Sequence, residues 1–269
     1  MPIVKETVII KIGVFDSGLG GLTVVKALQG VIKGADLFYI ADTKNAPYGE
    51  KTSEQILQYS LNITEYFLAQ HNIDALIVAC NTATSAAIKT LREKYPKLIL
   101  IGTEPGIKPA IEQTLTGQVG VLATPATLGG EKYQQLALRL AKDKEVTLYE
   151  QACPGLVEQI EKGKAHSPQT YAMLENWLKP MRDADVDTIV LGCTHYPLVA
   201  QVIEKVMQRK LHLIETGAAI AKHLLALAKE KGHENKGELH ISLYHTSTIC
   251  LDLVEKILKQ DISMESISL

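Results

Sequence analysis

The chain has 269 residues, 46% hydrophobic and 22% charged, a composition that supports a sizeable core in one large or two small domains. A net charge of −2 with no basic cluster excludes the electrostatic footprint of a nucleic-acid binder. No segment approaches the roughly 20 apolar residues needed to cross a bilayer, and residues 1–6 lack the features of a signal peptide, so a cytoplasmic protein with no membrane partner is expected.

In chain order, a strand at 8–15 ends in Asp16-Ser17 and a glycine-rich turn, Gly18-Leu19-Gly20-Gly21. A strand at 37–41, a helix at 53–70 and a strand at 75–79 follow, with Cys80-Asn81-Thr82 just past the last. A helix at 84–94 leads to strands at 98–102 and 119–123, the second followed by Thr124 to Thr127. A helix at 130–141, a strand at 146–149, a helix at 168–181 and a strand at 188–191 then lead to Cys193-Thr194-His195. The chain closes with helices at 198–208 and 218–231 and strands at 211–215 and 240–244. Short, near-continuous apolar strands alternating with amphipathic helices predict an α/β fold with mainly parallel sheets covered on both faces.

The alternation repeats. Residues 75–82 match 188–195 with the cysteines 113 apart, and Ile12-Gly-Val-Phe-Asp-Ser17 matches Val119-Gly-Val-Leu-Ala-Thr124 at an offset of 107. Ala46-Pro-Tyr48 stands at that same 107 offset from Cys153-Pro-Gly155. Three matches in one order predict two related α/β halves, each with a cysteine just past a strand end. Ligands of open parallel sheets bind outside the carboxyl ends of the strands. Two thiols reaching one cleft from opposite sides suit inversion at carbon: one removes a proton and the other returns one to the opposite face.

A helix start beside each cysteine is expected to lower its thiol pKa, whereas Cys153 and Cys250 lack that context and read as packing residues. In a reducing compartment all four are expected as thiols. None stands in a Cys-x-x-Cys pair or at zinc spacing from a histidine, so no metal is expected. Asp16 to Gly21 fits neither the dinucleotide nor the phosphate-loop pattern. Its backbone N–H groups could hold a substrate carboxylate, with Asp16 beside the reacting carbon or capping the helix. His195, two residues after Cys193, is placed to activate a thiol. Pattern alone makes Glu161 a helix-end surface residue and Pro47-Tyr48-Gly49 a turn.

Gly13-Val-Phe-Asp-Ser-Gly-Leu-Gly-Gly-Leu-Thr-Val24, Asp42 with Pro47-Tyr-Gly49, Cys80-Asn-Thr-Ala-Thr84 and Gly192-Cys-Thr-His-Tyr-Pro-Leu198 resemble the glutamate racemases, within the aspartate/glutamate racemase superfamily. The resemblance spans nearly the whole chain. It implies a cofactor-independent enzyme that interconverts L- and D-glutamate and supplies D-glutamate for peptidoglycan. By resemblance, Cys80 acts on the D-enantiomer with Asp16 assisting, and Cys193 on the L-enantiomer with His195 assisting. Glu161 matches an acidic position near the second cysteine. Ser17, Pro47, Tyr48, Gly49, Asn81, Thr82, Thr124, Thr127 and Thr194 match substrate-holding positions.

The resemblance further implies two pseudo-symmetric three-layer α/β domains that exchange chain ends, residues 1–103 plus 216–269 and residues 104–215, with the active site in the cleft between them. It is compatible with a homodimer. Glu215-Thr216 stands where many relatives have Asp-Ser or Asp-Thr, a departure expected to bear on domain packing more than on chemistry. An aspartate racemase is the alternative within the superfamily. A non-catalytic, nucleotide-binding regulatory domain of the same fold class is the alternative outside it.

Overall fold

The computed structural model describes residues 9–260 and 263–269, so Val8 of the expected first strand and residues 1–6 lie outside the described residues. The first half of the chain runs β1 (Ile10–Asp16), α1 (Leu22–Gln29), β2 (Ala35–Ala41), α2 (Ser53–His71), β3 (Ala75–Val78), α3 (Asn81–Lys94) and β4 (Ile99–Gly102). The next stretch is α4 (Ile107–Gln113), β5 (Gln118–Ala123), α5 (Pro125–Leu128), α6 (Glu131–Lys144), β6 (Thr147–Ala152) and α7 (Leu156–Glu161). Then come α8 (Pro168–Asp183), β7 (Thr188–Gly192), α9 (Ala200–Met207) and β8 (His212–Ile214). The chain closes with α10 (Gly217–Glu230), β9 (Leu239–His245), α11 (Leu251–Leu258) and β10 (Glu265–Ser266).

These strands form two sheets, ordered β10-β9-β2-β1-β3-β4 and β6-β5-β7-β8, and every pairing is parallel. The run β2-β1-β3-β4 in the first sheet is the same arrangement as β6-β5-β7-β8 in the second. Strands one and three of each half are therefore neighbours, and the loops after them open side by side. The repeat seen in the sequence is thus a repeat of topology.

Each sheet is covered on both faces because its apolar residues point both ways. In the first, Ile12, Val14, Ala75 and Ile77 pack with α1, α10 and α11, while Phe15, Leu76 and Val78 pack against Ile63 and Phe67 of α2 and Ile88 and Leu91 of α3. In the second, Val119, Val121 and Val190 meet α4 and α6, and Leu122, Ile189 and Leu191 join the cluster of α8 and α9. That last cluster is continuous with the α1–α10 side of the first sheet, so one core runs through both halves.

Local chemistry sets several boundaries that differ from expectation. The third helix starts at Asn81 rather than at 84, because Cys80 occupies the cap position and its Sγ accepts the Ala83 N–H at 3.4 Å. The helix expected at 198–208 is split into a 3-10 turn over Tyr196–Val199, with Pro197 in its first turn, and α9. β6 runs on to Ala152 through Glu150 and Gln151, polar residues that an edge strand tolerates. Among the described residues no helix is long and apolar enough to cross a membrane.

At the amino ends of the second sheet's strands, Asp187 is 5% exposed. Its carboxylate accepts from the Thr114 hydroxyl at 2.7 Å, the Leu115 and Thr116 N–H groups at 2.7 and 3.1 Å and the Thr188 hydroxyl at 2.9 Å. An amide at this position would turn an NH2 toward these donors. Asp187→Asn is expected to lower stability by about 2–3 kcal/mol, read from the urea midpoint, and an unchanged midpoint would refute the assignment.

Candidate active site

The carboxyl ends of β1, β3, β5 and β7 meet at one cleft. It is lined by Ser17, Pro47, Tyr48, Gly49, Cys80, Asn81, Thr82, Thr124, Cys193, Thr194 and His195, together with Glu50, Pro125, residues 153–155, Val157, Glu158 and Gly192. No Lys or Arg is among these lining residues. Cys80 follows β3 and Cys193 follows β7, the third strand of each half, so the duplication brings the two thiols to one space. Asp16, Thr127 and Glu161, also expected at the site, stand behind its wall.

The environments of the two thiols differ. Cys80 Sγ lies 3.8 Å from Ser17 Oγ and accepts the Ala83 N–H. Burial pushes its thiol up to about 12, and the nearby Asp16 carboxylate adds to the rise, while the Ala83 and Ser17 contacts act the other way. The helix start therefore lowers the thiol as expected but is outweighed by desolvation, and Cys80 rests as a thiol. Cys193 does not open an α-helix; its carbonyl accepts the Tyr196 N–H of the 3-10 turn. Its Sγ lies 3.7 Å from His195 Nδ1.

His195 is 1% exposed, and its Nε2 sits 2.5 Å from Glu161 Oε1. Burial works against a charged ring, yet the bonds to Cys193 and Glu161 prevail and hold the imidazole well above the ordinary histidine value. Glu161 is held below the usual carboxylate range: its burial is outweighed by the His195 bond and the Leu19 N–H. Both shifts favour the charged form of the pair, an imidazolium against a carboxylate. Glu161, a helix-end surface residue on pattern alone, ends α7 against His195, just behind the cleft wall.

The glycine-rich turn holds a carboxylate, but not a substrate's. Leu19 N–H donates to Glu161 Oε1 at 2.6 Å, Gly18 N–H donates to Asp16 Oδ2 at 3.0 Å, and Gly20 N–H lies 3.1 Å from His195 Nε2. The turn is committed to the second half's acid–base pair and lines no part of the cleft. Asp16 does not cap α1, whose cap residue Gly21 makes no side-chain bond. Instead its Oδ1 accepts the Thr194 hydroxyl at 3.0 Å. Burial raises the Asp16 pKa, partly offset by His195.

A second set of contacts joins the halves through hydroxyls. Thr82 Oγ1 lies 3.1 Å from Thr124 Oγ1 and 3.4 Å from Thr127 Oγ1, and Thr124 donates to Thr127 at 3.0 Å. Cys153 packs in the core as expected, and sequence reasoning missed that it also lines the cleft. The signal was present: Cys153-Pro-Gly155 is the repeat partner of Ala46-Pro-Tyr48, and both turns form cleft wall. Cys250 stands apart from it. Glu215, at the departure from the resembled motif, has a raised pKa from burial, offset by Lys26 of α1, which places it where β8 crosses to α10.

With its pKa near 12, the thiolate fraction of Cys80 should rise about tenfold per pH unit across the neutral and mildly alkaline range. Alkylation of the ligand-free protein by iodoacetamide, followed by peptide mass spectrometry, should show Cys80 labelling climbing without a plateau to about pH 10. A plateau below about pH 9 would contradict the burial argument.

The comparisons agree with this geometry. A model of the Asp/Glu/hydantoin racemase family matches residues 22–224. A glutamate racemase of Sulfurovum sp. is 68% identical over 250 residues, 93% of this chain and 94% of that protein. Among solved structures, a glutamate racemase isoform of Bacillus anthracis aligns with a TM-score of 0.84 at 29% identity, over 98% of this chain and 99% of that one. The glutamate racemase of Francisella tularensis, solved in complex with D-glutamate, aligns with a TM-score of 0.79 at 30% identity, over 96% of this chain and 97% of that one. The chain belongs to the Asp/Glu/hydantoin racemase family, and within it to the glutamate racemases.

Proposed function

We propose that the protein interconverts L- and D-glutamate by two-base proton transfer between Cys80 and Cys193, without a cofactor, supplying D-glutamate for peptidoglycan. The observation that carries this reading is that the two thiols enter one cleft from equivalent strands of two like halves. The Cys193 thiolate, paired with the His195 imidazolium, takes the Cα proton of L-glutamate. The electron pair left on Cα is delocalised into the α-carboxylate, and the Cys80 thiol donates its proton to the opposite face. D-glutamate then leaves behind a Cys80 thiolate and a Cys193 thiol, and exchange with solvent restores the starting state. The substrate's ammonium group offsets the desolvation that keeps Cys80 protonated in the empty cleft.

In this reading Glu161 holds His195 charged and oriented, Asp16 assists Cys80 through its field, and Ser17 touches the Cys80 sulfur. Pro47, Tyr48, Gly49, Asn81, Thr82, Thr124 and Thr194 hold the substrate, with Thr127 acting through the hydroxyl cluster. The absence of Lys and Arg from the lining supports carboxylate recognition by hydroxyls and backbone N–H groups. Sheet membership supports domains at 1–103 plus 216–269 and 104–215. A cytoplasmic setting belongs with this function, because both cysteines must stay reduced.

The test is a circular-dichroism assay with L-glutamate, repeated in heavy water. At low conversion the D-glutamate formed should carry deuterium at Cα while the remaining L-glutamate stays nearly unlabelled; product that keeps protium would rule out two solvent-equilibrated bases. Cys80→Ala and Cys193→Ala should each lose at least about a thousandfold in turnover, a barrier rise of about 4 kcal/mol. Near-normal turnover in either would remove that cysteine from the mechanism. Substrate turnover also tests the glycine turn. A Cβ on Gly20 would come within 2.4 Å of His195 Nδ1, whereas one on Gly30 meets nothing nearer than 3.6 Å. Gly20→Ala should cut kcat about hundredfold by displacing the ring, and Gly30→Ala should leave it unchanged; equal rates in the two would show that the turn does not set the histidine.

A further inference from the structure

Asp42 shares a motif with Pro47-Tyr48-Gly49, yet it lines no part of the cleft. It follows β2, is 1% exposed, and donates its backbone N–H to the Asp16 carbonyl at 2.9 Å. Its carboxylate carries four contacts. Oδ2 accepts the Tyr48 hydroxyl at 2.6 Å, Oδ1 accepts the Thr246 hydroxyl at 2.9 Å, and Asn45 Nδ2 lies 3.0 and 3.1 Å from the two oxygens. No Lys, Arg or His within ion-pair distance of Asp42 exists among the described residues.

A buried carboxylate served only by neutral donors is costly compared with a neutral amide of the same shape. What the carboxylate offers, and the amide does not, is acceptor capacity on both oxygens and a short charge-assisted bond to a phenol. The phenol is the relevant partner. Tyr48 is 1% exposed, its ring forms cleft wall, and its hydroxyl is committed to Asp42. Beside it, a Cβ on Gly49 would lie 3.3 Å from Thr124 Cβ, so the turn over 47–49 presses directly on the second half. Thr246, 204 residues further along the chain, holds Asp42 from behind, and its own backbone N–H donates to the Ala41 carbonyl at 3.1 Å.

We infer that Asp42 is a positioning residue of the racemase site: through the Tyr48 hydroxyl it fixes the 47–49 turn against Thr124, and Thr246 fixes Asp42 in turn. The inference rests on the function proposed above. Its effect falls on how tightly substrate is held, since Asp42 lines no part of the cleft and the Tyr48 hydroxyl is committed to Asp42.

The experiment is a double-mutant cycle on the full chain, with kcat and KM measured for both enantiomers in wild type, Asp42→Asn, Tyr48→Phe and the double variant. Each single variant should raise KM about tenfold, the scale of one lost charge-assisted bond, with kcat changed less than about threefold. In the Tyr48→Phe background Asp42→Asn should add less than about twofold, because the shared bond is already gone. Racemisation of a free amino acid has an equilibrium constant of one, so kcat/KM must fall equally for the two enantiomers, which checks the data internally. An unchanged KM in Asp42→Asn, or additive effects in the cycle, would overturn the inference. If Asp42→Asn does not fold, as read from its thermal melt, Thr246→Val takes its place. It removes one donor and should raise KM about threefold alone and not at all beyond Tyr48→Phe; no effect alone, or an additive one, overturns the inference as well. Wild-type protein that turns over neither enantiomer removes the racemase reading and this inference with it. An active wild type with additive variants removes the inference alone.

Discussion

The structure depends on the pairing of Glu161 with His195, both of the second half, at the line where the two halves meet. His195 stands on the loop after β7 and Glu161 at the end of α7; a turn from the other half donates the Leu19 N–H to Glu161 and packs Gly20 against the His195 ring. That turn needs its glycines: a Cβ on Gly18 would lie 2.3 Å from Glu161 Oε1, and one on Gly20 would strike the imidazole. A buried ion pair adds little net stability, but removing one partner from it costs about 3–5 kcal/mol. The pair therefore acts as a register pin. The halves fit with the turn around Glu161 and His195, and the cleft follows from that fit.

Two consequences reach the thiols. Thr194, between Cys193 and His195, donates to Asp16, so the second half's loop is tied to the carboxylate that sits beside Cys80. Charge is thereby distributed unequally. On one side the Cys193 sulfur lies 3.7 Å from His195 Nδ1, on a ring whose charged form is favoured; on the other the Cys80 sulfur feels the buried Asp16 carboxylate, whose charge opposes a thiolate there. A fold that repeats its topology closely has filled the two equivalent loops with opposite electrostatics.

Sequence alone carried much of this, for identifiable reasons. Strands buried on both faces write themselves as apolar runs, so all nine expected strands are present and only the two-residue β10 was missed. The cysteines were legible because each follows such a run and because the repeat pairs them. Contacts between distant segments were not. Nothing near Glu161 announces that the Leu19 N–H, 142 residues away, will meet it, and Thr246 gives no local sign of its bond to Asp42. The glycine turn was read with the right chemistry and the wrong ligand: backbone N–H groups do hold a carboxylate there, and it comes from the protein's own chain. Cys153 packs in the core as expected, and its place in the repeat also puts it at the cleft wall with the 46–48 turn, which the packing reading did not include.

The unequal thiols bear on how such a site turns over a pair of mirror images. Free energies of the two enantiomers are identical, so the protein gains nothing by favouring one, yet its two thiols stand in unlike surroundings. In the two-thiol reading, the protonated Cys80 stands ready to donate when L-glutamate is turned over, and turnover in that direction leaves its thiolate behind. That state places negative charge on Cys80, where desolvation and Asp16 both oppose it. The penalty drives the proton back once product has left, which resets the site, and the substrate's own ammonium lessens it while the ligand is bound. The asymmetry thus couples product departure to recovery of the starting state. Two identical thiol environments would lack that drive, since neither protonation state would be preferred.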